Sequence, residues 1–247
     1  MVIAYFIGTA GSGKSTLTKV VREYLLYQEE NVITVNLDPG VKHLPYYPDI
    51  DVRDLVDVET VMREHDLGPN GALVLACDMI ADKVDVLKKD VEEARAKYVL
   101  VDTPGQLELF ALRDSGPAIV RAFGRERSIC FFLIDAVPAK NPINLLTQLY
   151  LGMISACRLG IPVRNLLTKV DLLSQDELDK ILNATRDAYL LYDELDLIED
   201  VELTDIFQRL AQGLEGFSGN EPIPVSSVSM SGIHSVYEVM GRLELDQ

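Results

Sequence analysis

Cysteine is scarce and scattered: Cys77, Cys130 and Cys157 are the only three in 247 residues. Each lies in an apolar stretch, and no CxxC pair or Cys/His cluster occurs. Buried free thiols are expected, with neither a disulfide framework nor a thiolate metal site. Long apolar runs are missing too. None approaches the roughly 20 residues that cross a bilayer, and the opening MVIAYFI reaches a glycine loop without a basic leader. It reads as a first buried strand, not a signal peptide, and a cytoplasmic protein is expected. Positive charge is in deficit: 23 Lys and Arg against 39 Asp and Glu give a formal net charge of −16. Binders of nucleic-acid backbones or anionic membranes need a basic face, so both partners are disfavoured. Residues 176–205 carry eleven Asp and Glu against two Lys and Arg. This stretch reads as a solvated helical face, with a docking surface for a basic partner as the alternative.

Repeats, low-complexity tracts and linkers are absent as well, so the expectation is a single domain over 1–247. Hydrophobic residues make up 48% of the chain, enough for a substantial core. Strand-like runs occur near 2–7, 32–37, 98–102, 129–135, 163–167 and 222–226, with helical patterns between them. That alternation predicts an α/β fold with a mostly parallel β-sheet and helices on both faces. YVLVD and ICFFLID are continuously apolar, as strands covered on both faces should be. Residues 14–29 read as a helix joining two parallel strands. A heptad-like stripe (Leu73, Cys77, Ile80, Val84, Leu87, Val91, Ala94) predicts one helix over 73–94, packed on its own domain or against a second subunit.

GTAGSGKST at 8–16 matches GxxxxGK[ST] between a predicted strand and a predicted helix, the context that makes the motif strong. Backbone N–H groups of Gly11, Ser12 and Gly13 would cradle phosphates at a helix N-terminus. Lys14 would reach the β and γ phosphates, Ser15 would ligate Mg²⁺, and Thr16 would face the α-phosphate. Asp102, ending the YVLVD strand, would hold Mg²⁺ opposite Ser15, and the Gly105 N–H would sense a γ-phosphate. In TKVD, Asp171 can accept from guanine N1–H and N2–H₂, which adenine lacks, so GTP is favoured over ATP. The stem of Lys169 would cover the base, and Thr168 would bond to the phosphate loop. Ser226, Ser227 and Val228 sit where a base-contacting loop is expected, although a Ser-rich helix cap reads equally well. A P-loop kinase is the minor alternative, disfavoured because no Arg-rich lid is visible.

With GTAGSGKST, NLDPG (36–40), GPN (68–70), DTPGQ (102–106) and TKVD in this order, the chain resembles the GPN-loop GTPases, and specifically an archaeal-type member. The resemblance implies a P-loop NTPase fold, Mg²⁺ as cofactor, bound GTP or GDP, and a homodimer. Taken locally, Gly68-Pro69-Asn70 is a surface turn. The resemblance turns it into a loop, an insertion around 66–72, that reaches the partner's nucleotide site with Asn70. Asp38 and Gln106 become candidates to orient the attacking water, with Glu108 ranked lower. A helical, acidic segment is expected around 175–215. The resemblance also admits an output in which nucleotide gates partner binding, as for relatives linked to RNA polymerase assembly.

Overall fold

The protein is represented by a computed structural model that describes residues 1–186, 190, 201–214 and 221–245. Among these, seven strands form one all-parallel sheet in the order β3-β2-β4-β1-β5-β6-β7. They are β1 (Val2–Gly8), β2 (Val32–Asn36), β3 (Ile50–Asp51), β4 (Tyr98–Asp102), β5 (Ser128–Asp135), β6 (Val163–Thr168) and β7 (Ile223–Pro224). Six answer to the predicted runs, the last of them shortened to two residues. The seventh, β3, is also two residues long and had no apolar pattern to announce it.

Each central strand feeds two cores in alternation, as a pleat of period two requires. On β1, Ile3, Tyr5 and Ile7 enter one cluster, whereas Val2, Ala4 and Phe6 enter the other. The second cluster is closed by helices Lys14–Tyr27 and Ile233–Leu245 through Leu17, Val21, Leu25, Val236 and Met240. The first and larger cluster takes Ala72, Ala76 and Ile80 from helix Pro69–Asp82, Leu87 and Val91 from Val84–Glu93, and Leu145 and Leu149 from Pro142–Leu159. Burying each of the Leu, Ile, Val and Met side chains among these contributes on the order of 1.5–3 kcal/mol.

Two expectations are corrected by this packing. The predicted 73–94 helix is two helices, broken at Lys83, whose φ is −99° and ψ 16°. No glycine or proline marks the break. Lys83 N–H bonds to the Ile80 carbonyl at 3.0 Å, and its ammonium donates to the Leu55 carbonyl at 2.8 Å. The stripe nonetheless faces the chain's own core through Ile80, Leu87 and Val91. The second correction concerns Cys157, which is exposed, while Cys77 and Cys130 are buried. It lies on helix Pro142–Leu159 beside exposed Arg158, on the side turned away from the sheet. Within the acidic segment, Asp176 and Asp179 are exposed on helix Gln175–Arg186, with Ile181 turned inward. Residues 187–189 and 191–200 of that segment lie outside the described residues. No helix among the described residues is long and apolar enough to cross a membrane.

The register brings the C-terminal strand ends level. Phe6 and Asn36 both pair with Asp102, Gly8 with Leu133, and Asp135 with Thr168. Ligands of parallel α/β sheets bind at that edge.

The close contact between helix Ser115–Phe123 and the Leu107–Phe110 turn yields a stability test. A Cβ on Gly116 would lie 2.1 Å from the Phe110 carbonyl oxygen, whereas one on Gly241 would meet nothing within 4 Å. Gly116→Ala should therefore lose about 1–3 kcal/mol or more. Gly241→Ala, inside a helix, should gain about 0.5–1 kcal/mol. Urea unfolding of the two variants checks the opposite signs.

Candidate nucleotide site

The loop after β1 turns on Gly11 (φ 79°) and Gly13 (φ 97°), left-handed angles that a side chain rarely adopts. Gly13 is the N-cap of helix Lys14–Tyr27. The loop thus delivers the helix N-terminus, with its unpaired N–H groups, to the sheet edge. Ser12 is fully buried, Ser15 half-buried and Thr16 exposed. Lys14 is folded back over the loop. Its Nζ donates to the Gly8 and Thr9 carbonyls, both at 3.0 Å, and to that of Gly105 at 3.5 Å. Burial holds its pKa below the ordinary lysine value, against the upward pull of Asp102 and Asp38.

Asp102 stands beside it at the end of β4, 1% exposed. Burial raises its pKa to about 6, opposed by hydrogen bonding to the Ser15 and Tyr46 hydroxyls and by the Lys14 charge. Tyr46 donates to Oδ2 at 3.1 Å, while Oδ1 is buried and makes no hydrogen bond of good geometry. A hydroxyl and a buried carboxylate with an oxygen to spare form a hard-oxygen donor pair that fits Mg²⁺. No group of three or more His, Cys, Asp or Glu side chains suited to a metal occurs among the described residues. Mg²⁺ normally takes one or two protein oxygens and completes its shell with phosphate and water, so the pair suffices.

Asp38 lies in the turn after β2. Its Oδ2 accepts from the Gly105 N–H at 3.0 Å and its Oδ1 from the Gly40 N–H at 2.9 Å. The Gly105 amide expected to meet a γ-phosphate is thus bonded to a carboxylate. Gln106 is exposed at the N-cap of the Leu107–Phe110 turn, and Glu108 is exposed in that turn.

The segment expected to meet the base forms around β6. Thr168 Oγ1 donates to the Ser12 carbonyl at 2.9 Å and lies 3.2 Å from that of Ile134, which ties this segment to the phosphate loop. Lys169 adopts a left-handed φ of 61°, and its ammonium pairs with Asp135 at 2.5 Å. Asp171 follows in a 3₁₀ turn and accepts from Ser226 Oγ at 2.5 Å. The Ser226 oxygen in turn accepts from the Val228 and Ser229 N–H groups, both at 3.1 Å. The Val228 side chain is 82% exposed, and Ser227 is half-buried.

A family model described as a conserved hypothetical ATP-binding protein matches residues 6–243. GPN-loop GTPase PAB0955 of Pyrococcus abyssi is 40% identical over 183 residues, 72% of this chain and 71% of that protein. The chain belongs to the GPN-loop GTPase family. GPN-loop GTPase 1 of Dictyostelium discoideum is 29% identical over 97% of this chain and 61% of its own length. GPN-loop GTPase 2 of Schizosaccharomyces pombe is 36% identical over 68% of this chain, which spans about half (54%) of that relative. The crystal structure of PAB0955, described as a GTPase in apo form, superposes with a TM-score of 0.84 and 30% identity, covering 98% of this chain and 97% of that one.

The family's signature tripeptide is not a free loop here. Gly68 is an N-cap, Pro69 the first helical residue and Asn70 the second, an arrangement that Pro at N1 favours. Asn70 is exposed. With Leu73 it lines a cleft of about 960 Å³ whose other walls include Gly40, Val41, Arg53 and Met62.

Spacing arguments had missed Tyr46. It sits beside Tyr47, which is 93% exposed, and no local pattern separates the two. Asp135 was missed as the Lys169 partner, although its place at the end of β5 could have suggested it.

The raised pKa of Asp102 has a direct consequence. Its carboxyl favours the fold below the ordinary aspartate value, and that contribution is lost as pH rises through about 6. A ¹³C carboxyl titration of the protein without added nucleotide should show a midpoint near 6. Tyr46→Phe removes a donor to the ionised form and should move the midpoint further up.

Proposed function

We propose that the protein binds GTP with Mg²⁺ at this sheet edge and hydrolyses it to GDP and phosphate as a homodimer, each subunit lending Asn70 to its partner's site. The observation that carries the choice of purine is the seat of Asp171. The family description speaks of ATP, and the named relatives are GTPases. The Ser226 hydroxyl holds Asp171 Oδ1 at 2.5 Å, and two backbone N–H groups hold Ser226 in turn. That fixes a carboxylate acceptor in place before any base arrives. Guanine offers it two donors; adenine offers none on that edge and leaves the carboxylate unmatched.

Catalysis of phosphoryl transfer is positioning and electrostatics. Bound Mg²⁺, held by Ser15 and Asp102, would offset charge on the β and γ phosphates. In this reading Lys14 exchanges its carbonyl partners for phosphate oxygens. The Gly105 N–H, now on Asp38, turns to the γ-phosphate. The freed Asp38 carboxylate then stands next to the terminal phosphate, where it accepts a hydrogen bond from the attacking water and sets it in line. Gln106, exposed two residues beyond Pro104, is a second acceptor and donor for that water. Asn70 presents a neutral amide that can donate two hydrogen bonds to the transferred or leaving phosphate. Its exposure on the first turn of a rigid helix suits insertion into a neighbour.

A second output follows from the Asp38–Gly105 bond. A loop that changes partners with the γ-phosphate is also a nucleotide-dependent surface, so partner capture, RNA polymerase assembly among the candidates, is compatible with slow hydrolysis.

Two experiments test this reading. Asp171→Ala should weaken GTP binding and erase the preference over ATP, read by calorimetry with both nucleotides; an unchanged preference rejects the assignment. For the trans role, Lys14→Ala and Asn70→Ala subunits are inactive alone. Mixed one to one and allowed to exchange, they form hybrids with one complete site, and roughly a quarter of wild-type turnover should return. A cis-acting Asn70 gives no recovery.

A further inference from the structure

Three polar side chains outside the reaction scheme close a ring around the turn that carries Asp38. Asn36, fully buried at the end of β2, accepts the Asp38 N–H with Oδ1 at 3.1 Å and donates from Nδ2 to the Asp38 carbonyl at 3.2 Å. One amide therefore holds both main-chain groups of residue 38. The same Nδ2 donates to Asp51 Oδ1 at 2.9 Å. Asp51, on β3, is gripped by Arg53. Its Oδ1 accepts from the Arg53 backbone N–H and Nε, both at 3.0 Å, and its Oδ2 from Nε at 3.0 Å and Nη2 at 2.6 Å. Arg53 Nη1 then reaches back to the Val41 carbonyl at 3.1 Å. The turn from Asp38 to Val41 is thus tied at its start by Asn36 and at its end by Arg53, with Asp51 joining the two ties.

This geometry constrains function in a particular way. The guanidinium lines the same cleft as Asn70, so it could be taken for a phosphate-binding cation. Its Nε–Nη2 edge is committed to Asp51 and Nη1 also donates to Val41, so that edge of the planar fork is not free to clamp a phosphate. The backbone of Asp38 is pinned, yet among the described residues its carboxylate is hydrogen-bonded by two N–H groups, Gly40 in its own turn and Gly105 in the turn after β4. A side chain on a pinned backbone can change partners by rotation alone and stay within reach of the terminal phosphate.

We propose that Asn36, Asp51 and Arg53 are positioning residues for Asp38, fixing its main chain so that its carboxylate, once it leaves the Gly105 N–H, remains aligned for the attacking water. The inference rests on the reading of Asp38 as the group that orients that water, and the test separates the two.

GTP turnover and Mg²⁺–GDP affinity are measured for Asp38→Ala, Arg53→Ala, Arg53→Lys, Asp51→Asn and the double variant Asp38→Ala/Arg53→Ala. Arg53→Ala and Asp51→Asn should lower kcat on the order of tenfold, since small misplacements of a catalytic group carry losses of that size or more. KM and GDP affinity should stay within about twofold, because the phosphate loop and Asp171 are untouched. Arg53→Lys keeps the charge and the stem but not the fork, so it should be as slow as Arg53→Ala; it gives the same reading should the alanine variant not accumulate. In the Asp38→Ala background, Arg53→Ala should add nothing, as expected of residues acting through one group. Equal losses in both backgrounds, or a wild-type kcat for Arg53→Ala and Arg53→Lys while Asp38→Ala is slow, overturn the positioning role alone. A wild-type kcat for Asp38→Ala removes the reading of Asp38 and this inference with it.

Discussion

One hydrogen bond, from the Gly105 amide to the Asp38 carboxylate, joins the turn after β2 to the turn after β4. Those two turns lie together on one side of the phosphate loop, because the sheet runs β2-β4-β1 and its parallel register sets Phe6, Asn36 and Asp102 at one level. A backbone N–H at a sheet edge needs an anionic or carbonyl partner, and an unpaired one is costly. Asp38 supplies the anion here, as the Gly8 and Thr9 carbonyls supply partners for Lys14. In the proposed reading, a triphosphate at this edge would exchange partners instead of creating them. Its γ oxygens would compete with a carboxylate for one N–H, and the loser of that competition would be left beside the reacting phosphate. Chemistry and conformational signalling would then share a single contact.

The buried pair of Lys14 and Asp102 works on the same principle. Burial alone would discharge both, pulling the ammonium down and pushing the carboxyl up. Each partly restores the other's charge, and Tyr46 and Ser15 support the carboxylate further. The cost of holding two charges in a dry site is met by their mutual attraction and by the ligand that both would share. At the other end Asp171, exposed but fixed by Ser226, needs no such support. In the proposed reading, the phosphate end depends on buried charge and the base end on directed hydrogen bonds.

The sequence made the sheet legible because buried parallel strands are continuously apolar, and YVLVD and ICFFLID could be little else. GTAGSGKST was legible because its residue types have few other reasons to occur together between a strand and a helix. The bond from Thr168 to the phosphate loop was also foreseen, and the structure shows it. Long-range polar ties were not legible: Asn36 meets Asp51 across fifteen residues, through a two-residue strand with no pattern of its own. Nor does periodicity register a helix break made by a lysine reaching another segment's carbonyl, as at Lys83. Gly68-Pro69-Asn70 carries turn chemistry and helix-start chemistry alike, and the structure takes the second. Cys157 was misjudged because apolar neighbours in sequence do not fix which side of a helix faces the core.

The amide of Gly105 is the direct reporter of the exchange on which the account rests. Its ¹⁵N–¹H resonance should be compared in the Mg²⁺-bound protein with GDP and with a non-hydrolysable GTP analogue. The account predicts a large shift on going from GDP to the triphosphate analogue as the amide passes from Asp38 to the γ-phosphate, and the Asp38 side-chain carboxyl resonance should shift in step. A Gly105 amide that stays put in both complexes, with Asp38 still bonded to it, would contradict the account.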